Sequence, residues 1–318
     1  MIPLLLVCWA AAPAWPVAER VPLPLGERYK EVTGTGLAFD HRGEKVALSL
    51  NSSPQDGLLQ EVWDLRTLKA VPLAVAPKYG RIRQVLATRK GEWIALCDSA
   101  VIRCDRDGKE IGLFLLARHD SAGVAALDRE EKNLLIYNHG LFMKYAIASG
   151  NRVSRVSYPV RNCEHLCPGP RFAVVREHQD VELRDAQTGK LLHSFEDHPG
   201  RVYAARLTAD EKTLVTVWSR RRDAQSEVGV EVWDVATSRP TRRFTTTGSY
   251  PIVALSPAGD LIALGTNDSL RLFAIPSGEQ LQVLGKQRPY RLEFSPDGRY
   301  LAALGPGLNV WRLRDRPH

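Results

Sequence analysis

Short runs of apolar and β-branched residues alternate along the chain with clusters of polar turn residues. One such run is Leu191–Phe195, and the polar cluster Gln187-Thr188-Gly189-Lys190 comes directly before it. Runs of this length, bounded by residues such as Gly, Pro, Asn, Asp or Ser, are typical of β-strands. The pattern therefore predicts an all-β protein that is built from many short strands.

A tight-turn signal recurs along the whole chain. Its seven copies are Asp40-His41-Arg42-Gly43, Thr88-Arg89-Lys90-Gly91, Asp128-Arg129-Glu130-Glu131, Cys167-Pro168-Gly169-Pro170, Thr208-Ala209-Asp210-Glu211, Ser256-Pro257-Ala258-Gly259 and Ser295-Pro296-Asp297-Gly298. Pro at the second position and Gly at the fourth position are favoured in type I turns. The copies end at positions 43, 91, 131, 170, 211, 259 and 298, so their spacings are 48, 40, 39, 41, 48 and 39 residues. The chain therefore contains seven units of similar length.

Each turn is followed by a β-rich run that ends in an aromatic–acid pair or in a remnant of one. The pairs are Trp63-Asp64, Cys104-Asp105, Tyr145-Ala146, Arg184-Asp185, Trp233-Asp234, Phe273-Ala274 and Trp311-Arg312. A short polar turn and a further apolar strand come after the pair. The pattern therefore predicts about four short strands in each unit.

A period of about 42 residues with four strands and a Trp-Asp pair is the signature of WD40 repeats. The most specific stretches are Val62-Trp63-Asp64, Glu231-Val232-Trp233-Asp234 and residues 294–302. On these residues the chain resembles the WD40 β-propeller family. The resemblance implies a single domain over residues 19–318, an all-β, seven-bladed β-propeller. A pair of β-sandwiches is the competing fold, but it does not explain the fixed period.

Two details of the fold follow from the resemblance. The seventh unit has its third strand at residues 308–313 and lacks a fourth, whereas residues 20–25 form a spare strand before the first unit. Because unpaired sheet edges are unfavourable, we expect this N-terminal strand to close the last blade. The buried His–Ser/Thr–Trp hydrogen bonds of the family could form only in the fifth unit, from His198, Thr216 and Trp233.

Residues 1–18 differ in composition from the rest of the chain. Residues 1–14 are apolar and uncharged, and Ala12-Pro13-Ala14 fits the small-residue cleavage site of a signal peptide. No Lys or Arg precedes the apolar run, so the fit to a signal peptide is incomplete. We expect a secreted or periplasmic bacterial protein whose mature N-terminus follows Ala14, with a cytoplasmic location as the alternative.

The charge of the chain is only mildly basic. Its 318 residues include 43 Lys and Arg against 36 Asp and Glu, a net charge of +7. The basic residues are scattered, whereas nucleic-acid-binding proteins concentrate them on one face or helix. We therefore expect no nucleic-acid partner. Beyond Ala18 no apolar run reaches the about 20 residues of a membrane-spanning helix, and we expect a monomer.

Candidate chemistry is sparse. Cys163, His165 and Cys167 would share one face of a strand, but three such residues span about 13 Å, too far for one zinc ion. The motifs of serine hydrolases, zinc proteases, P-loops and dinucleotide-binding folds are absent, and Thr33-Gly34-Thr35-Gly36 is interpreted as a loop. We therefore predict no catalytic residue, metal site or cofactor. The sequence leaves open whether Cys97, Cys104, Cys163 and Cys167 pair.

The loops that lead into the first strand of each unit are rich in Arg and Tyr. Ten residues before the end of the turn, three units carry Arg81, Arg201 and Arg288, and Tyr79, Tyr158, Tyr250 and Tyr290 lie close to the same place. Units one and five also have long loops between their second and third strands, at residues 51–60 and 219–228. The second of these contains Arg220, Arg221 and Arg222.

Arg and Tyr are enriched at binding hot spots, and the WD40 resemblance places these loops on the face that usually binds partners. We therefore predict a non-catalytic scaffold that binds a protein or peptide, in particular an acidic one. One alternative is a lactonase- or hydrolase-like enzyme, or a small-ligand-binding protein, that uses the central channel. The other is that the arginine-rich loops only cap the blades.

Overall fold

The computed structural model describes residues 18–25, 33–51, 58–73, 75, 77–117, 123–157, 163–166, 171–175, 180–185, 188–208, 210–222, 225–275, 277–286, 288–305 and 307–313. At residues 33–35, 51, 58, 59, 77, 163–166, 171–175, 222 and 225 it describes the backbone only. Within these ranges, 28 strands form seven antiparallel sheets of four strands each. The all-β fold class is therefore confirmed. No helix in the described part of the chain is long and apolar enough to cross a membrane.

The strands of each sheet follow one another along the chain, except that β1 (Ala18–Arg20) belongs to the last sheet. The first sheet consists of β2 (Thr33–Phe39), β3 (Lys45–Asn51), β4 (Leu58–Asp64) and β5 (Lys69–Pro72). The second consists of β6 (Ile82–Ala87), β7 (Trp93–Cys97), β8 (Ala100–Cys104) and β9 (Glu110–Leu115). The third consists of β10 (Val124–Leu127), β11 (Asn133–Asn138), β12 (Leu141–Ala146) and β13 (Arg152–Ser157).

The remaining four sheets have the same order. The fourth consists of β14 (Cys163–Leu166), β15 (Arg171–Val175), β16 (Val181–Asp185) and β17 (Leu191–Phe195). The fifth consists of β18 (Arg201–Leu207), β19 (Thr213–Arg222), β20 (Gln225–Asp234) and β21 (Arg239–Thr247). The sixth consists of β22 (Ile252–Leu255), β23 (Leu261–Gly265), β24 (Leu270–Ala274) and β25 (Gln280–Gly285). The seventh consists of β26 (Arg291–Phe294), β27 (Tyr300–Gly305), β28 (Gly307–Leu313) and β1.

The recurring turns connect the first and second strands, and their chemistry explains why the signal repeats. In six described copies the backbone N–H of the fourth residue donates to the carbonyl of the first. That fourth residue has a positive φ, which favours Gly; the residues are Gly43, Gly91, Glu131, Glu211, Gly259 and Gly298. The polar first residue adds a bond, as where Asp40 Oδ1 accepts from the N–H groups of Glu44 and Lys45 at 2.7 and 2.9 Å.

The seventh sheet is completed by the N-terminal segment, as predicted. Ala18 pairs with Leu313 and Arg20 with Trp311, and the N–H of Val21 donates to Val310 O at 2.8 Å. The strand is Ala18–Arg20 rather than residues 20–25, which corrects its position. Beyond Val21 the N–H groups bond within the segment, and the prolines at 22 and 24 have no N–H to donate.

Two predicted loops are wrong. Residues 33–36 are the start of β2, and the pairing of β2 with β3 shifts its register between Gly34 and Gly36. Residues 219–222 and 225–228 continue β19 and β20 as a ladder in which Arg220 pairs with Glu227 and Arg222 with Gln225. The hydrogen bonds between paired strands join backbone groups. Strand pairing can therefore continue through residues with charged side chains, although such residues are also common in loops. Of the long loop at 51–60, residues 52–57 lie outside the described residues.

The core lies between the sheets. Six apolar clusters each join two neighbouring sheets, as where Leu48 and Leu50 of the first sheet pack with Leu304 and Val310 of the seventh. First strands also contact one another in chain order, and β26 contacts β2, so the series of contacts returns to the sheet where it began.

The turns between first and second strands of neighbouring sheets lie side by side, so they share one end of the molecule. A Cβ atom at Gly43 would lie 2.7 Å from Asp297, and one at Gly259 would lie 2.7 Å from Thr208. The loops that lead into the first strands therefore share the opposite end.

Candidate functional site

Four exposed or half-buried side chains connect the fifth, sixth and seventh sheets at this opposite end. The guanidinium carbon of Arg201 lies 5.4 Å from the centre of the Tyr203 ring. Tyr203 and Tyr250 meet edge to face, with 6.4 Å between their ring centres and 86° between their planes. Arg288 lies over Tyr250 at 5.4 Å. We call Arg201, Tyr203, Tyr250 and Arg288 the arginine–tyrosine cluster.

The fifth sheet contributes Arg201 and Tyr203 from the start of β18. Its pairing with β19 is shifted between Val202 and Ala204, so Tyr203 is the extra residue of a β-bulge. Bulges redirect side chains and are common next to functional sites. The bulge explains how Tyr203 reaches the neighbouring sheet from inside a strand.

The sixth sheet contributes Tyr250 from the loop before β22. This loop is fixed by two hydrogen bonds: the N–H of Ser249 donates to Asn267 Oδ1 at 2.9 Å, and the N–H of Asn267 donates to Ser249 O at 3.0 Å. Tyr250 has a φ of +51°, which is uncommon for a bulky residue. Its side chain is 56% exposed, so the strained backbone presents a large aromatic ring to solvent.

The seventh sheet contributes Arg288 from the loop before β26. Pro289 packs so closely on Gly265 that a Cβ atom at Gly265 would lie 2.2 Å from its Cγ. The N–H of Tyr290 donates to Leu304 O at 2.6 Å, which ties the loop to β27. Tyr290 follows the cluster residue Arg288 by two positions in the sequence, and its side chain is 38% exposed.

The cluster presents two arginines that are held against aromatic rings. No ion pair joins Arg201 or Arg288 to a carboxylate within the residues that the structure describes. Stacking on a ring stabilises an exposed guanidinium by about 0.5–1 kcal/mol and leaves its N–H edge open. That edge matches the two oxygens of a carboxylate or phosphate.

The three consecutive arginines lie on the β19–β20 hairpin next to β18. Arg220 stacks on Trp218 at 5.3 Å and pairs with Glu227 at 2.7 Å, so part of its charge is neutralised within the hairpin. Arg221 is exposed, and the side chain of Arg222 lies outside the described residues. The hairpin borders the cluster, since a Cβ atom at Gly200 would lie 2.9 Å from the Cβ of Arg220.

Arg81 and Tyr79 lie in the segment that leads into β6 of the second sheet, and no described contact places them in the cluster. Tyr79 ends a single turn of 3-10 helix, Pro77–Tyr79, and Lys78 lies over its ring at 4.9 Å. Arg81 is exposed, and its N–H donates to Asp98 Oδ2 at 3.0 Å. Burial alone would raise the pKa of Asp98, but this bond and the ion pair with Arg83 hold it below its ordinary value. Tyr158 lies outside the described residues.

The buried hydrogen bonds that the sequence indicates in the fifth sheet are present. His198 Nε2 lies 3.0 Å from Thr216 Oγ1, and Trp233 Nε1 donates to the same oxygen at 2.9 Å. Glu231 lies nearby with no exposed surface and accepts from Trp218 Nε1 at 3.1 Å. Burial raises the pKa of Glu231, although Arg243 and Trp218 donate to it.

Neither of the two described thiols belongs to a reactive site. Cys97 and Cys104 are buried and form no disulfide, and burial raises the pKa of each to about 12. Among the described side chains, no group of three His, Cys, Asp or Glu residues is arranged to hold a metal ion. Cys163 and His165 lie in β14 with undescribed side chains, and Cys167 lies outside the described residues.

The sequence indicates three residues of the cluster and misses one. Arg201, Tyr250 and Arg288 come from the repeated loop position, whereas Tyr203 lies inside a strand, two residues beyond Arg201. The side-chain alternation of strands would have placed Tyr203 on the same face as Arg201.

No family model matches the chain, and no curated protein matches it.

Proposed function

We propose that the chain is a WD40-type, seven-bladed β-propeller that acts as a non-catalytic scaffold and binds a protein or peptide partner. Three observations support the propeller: the seven four-stranded sheets, the contacts of first strands that return from β26 to β2, and the completion of the seventh sheet by β1. The hydrogen bonds of His198, Thr216 and Trp233 support the WD40 type.

The arginine–tyrosine cluster is the observation that carries the binding function. Its residues come from three sheets, so only the folded chain assembles them. Arg and Tyr are enriched at binding hot spots, and Tyr buries a large contact area with few side-chain conformations to lose. The two stacked arginines favour an acidic segment of the partner. The hydrogen-bonded loops before β22 and β26 hold the cluster in position before the partner binds.

The experiment compares partner capture from the native host by the wild-type protein and by two variants, Tyr250→Ala and Arg288→Ala. Captured proteins are identified by mass spectrometry, and the affinity for the main one is then measured with purified components. Loss of a hot-spot side chain should weaken binding about tenfold or more. Arg66→Ala is the matched control, since Arg66 is exposed in the turn after β4, at the other end of the strands.

Salt should weaken the same interaction, because attraction between exposed charges is screened within about 8 Å at physiological ionic strength. The melting temperature should stay unchanged, since exposed substitutions alter stability by about 0.5 kcal/mol or less. Equal affinities of Tyr250→Ala, Arg288→Ala and the wild type, at equal melting temperatures, would contradict the proposal.

A further inference from the structure

The distance between the two arginines of the arginine–tyrosine cluster limits the kind of segment that can bind to both. The guanidinium carbons of Arg201 and Arg288 each lie 5.4 Å from the centre of a tyrosine ring. These two rings, of Tyr203 and Tyr250, have their centres 6.4 Å apart. The three distances run end to end, so the two guanidinium carbons are at most about 17 Å apart.

An extended segment spans this distance with few residues. An extended chain rises about 3.3 Å per residue, so about five residues cover the distance. A helix rises about 1.5 Å per residue and needs about eleven residues. Each residue that binding orders loses conformational entropy, which favours the extended segment.

A third stacked arginine, next to the cluster, shows how such a guanidinium holds a carboxylate. The guanidinium carbon of Arg220 lies 5.3 Å from the centre of the Trp218 ring, and its Nε donates to Glu227 Oε2 at 2.7 Å. Arg201 and Arg288 are stacked at nearly the same distance, and no carboxylate among the described residues pairs with either of them. A carboxylate of a partner can therefore bind to each of them as Glu227 binds to Arg220.

The sixth sheet, which contributes Tyr250 between the two arginines, disfavours a third carboxylate. Its loop before β22 and its turn between β23 and β24, residues 248–251 and 266–269, include one acidic residue, Asp268, and no basic residue. Hydrogen bonds of 2.9 and 3.0 Å hold the two segments side by side. The Thr266 hydroxyl donates to Asp268 at 2.6 Å and holds the pKa of that carboxyl below its ordinary value. The exposed ring of Tyr250 suits an apolar side chain at the middle of a bound segment.

We propose that the arginine–tyrosine cluster binds an extended segment of a partner protein in which two acidic residues, up to about five positions apart, flank an apolar residue. One carboxylate pairs with Arg201 and the other with Arg288, while the apolar side chain between them packs on Tyr250. The proposal rests on the proposed function, because it concerns the same surface. It goes further by assigning the order of residue types in the partner and their spacing.

The test is surface plasmon resonance of the whole protein over immobilised synthetic peptides. Each peptide carries two glutamates that are joined by prolines, with glycine and serine outside them. A polyproline chain is stiff and extended at about 3.1 Å per residue. Separations of three, six and twelve positions therefore place the glutamates about 9, 19 and 37 Å apart.

We expect the peptide with a separation of three or six positions to bind best. The peptide with a separation of twelve should bind about tenfold more weakly, because its second glutamate cannot reach the second arginine. Replacing one glutamate by glutamine in the best peptide should cause the same loss. A third glutamate at the centre of the six-position peptide should not tighten binding, because Asp268 repels it and the apolar contact with Tyr250 is lost.

Arg288→Gln assigns the second carboxylate to the cluster. In this variant the two-glutamate and one-glutamate peptides should bind alike, within about twofold, because one arginine remains. Arg201→Gln should give the same result. Arg66→Gln is the matched control, since Arg66 is exposed at the other end of the strands, and it should retain the tenfold difference. All three variants should melt like the wild type, since the substitutions are exposed.

Three results would overturn the proposal: no binding of any peptide, equal binding at all three separations, or tighter binding of the three-glutamate peptide. Any of these, together with partner capture that depends on Tyr250, rejects the acidic motif and leaves the proposed function standing. The opposite combination is peptide binding that depends on the separation, with capture unchanged in Tyr250→Ala and Arg288→Ala. It rejects the proposed function, because the captured partner then binds elsewhere.

Discussion

Thr216 is the residue on which the buried hydrogen bonds of the fifth sheet converge. Its hydroxyl accepts from Trp233 Nε1, so Thr216→Val leaves a buried N–H without this acceptor. An unsatisfied buried donor is destabilising by about 1–3 kcal/mol. We expect the free energy of unfolding, measured with urea, to fall by that amount. Thr245→Val on the exposed face of β21 is the control, and equal effects of the two substitutions would show that the bond adds nothing.

At this scale the sequence predicts residue types better than contacts. The partners of Thr216 could be predicted because their types and spacing repeat a family pattern. The contact between Tyr203 and Tyr250 could not, because it depends on a bulge, which shifts the register of β18 without any marked residue.

Among the elements, a single glycine determines how closely the sixth sheet approaches the loop before β26. Gly265 ends β23, and a methyl group there would lie 2.2 Å from Pro289 Cγ. Gly265→Ala should therefore displace the loop that carries Arg288. We expect a loss of about 1–3 kcal/mol in unfolding free energy and weaker partner capture. Gly285→Ala in β25 is the matched control, since no atom lies within 4 Å of its added Cβ; a similar loss there would contradict this account.

The N-terminal strand offers a second prediction about elements. The N–H of Val21 donates to Val310 O, and Val21→Pro removes that donor. Val21→Ala keeps the N–H and is the control for the smaller side chain. We expect Val21→Pro to lower the urea midpoint more than Val21→Ala and to promote self-association by exposing the edge of β28, measured by light scattering. If the two variants behave alike, this hydrogen bond does not hold the strand.

Element boundaries were predictable where turn chemistry marks them. The six described turns between first and second strands fall where Asp, Ser or Thr is followed three residues later by Gly or Glu. The hairpin at Arg220 to Arg222 was not predictable as strand, because charged side chains on an extended hairpin are typical of loops as well. The prolines at 22 and 24 follow the paired residues of β1. The sequence contains them, but it does not show whether the paired strand lies before or after them.

At the scale of the whole molecule, no described sheet has a core of its own. Leu48 is fully buried between the first and seventh sheets, and Leu48→Ala should reduce the unfolding free energy by about 2–5 kcal/mol. Because each apolar cluster is shared by two sheets, hydrogen exchange should become faster in all seven sheets. Val71→Ala in the same sheet is the control, since Val71 is 37% exposed. Faster exchange confined to the first sheet would contradict this shared stability.

The arrangement of the molecule was predictable from its repeat, whereas the use of its surfaces was only partly so. Seven copies of one turn predict seven sheets, and the missing strand of the last unit predicts the role of the N-terminal segment. Arg81, Arg201 and Arg288 occupy one repeat position, yet the structure gives only Arg201 and Arg288 aromatic partners within the cluster. Repetition predicts placement, while contacts depend on the side chains of neighbouring sheets.

The pairing of β1 with β28 also has a consequence for biosynthesis. A ribosome makes Ala18–Arg20 long before it reaches Gly307–Leu313. At about 5–20 residues per second, the earliest strand waits on the order of 15–60 s for its partner to be made. During that time the other six sheets can assemble in order, but the seventh cannot be finished. The seventh sheet can therefore be completed only after β28 has been synthesised, and a nascent chain is left open until then.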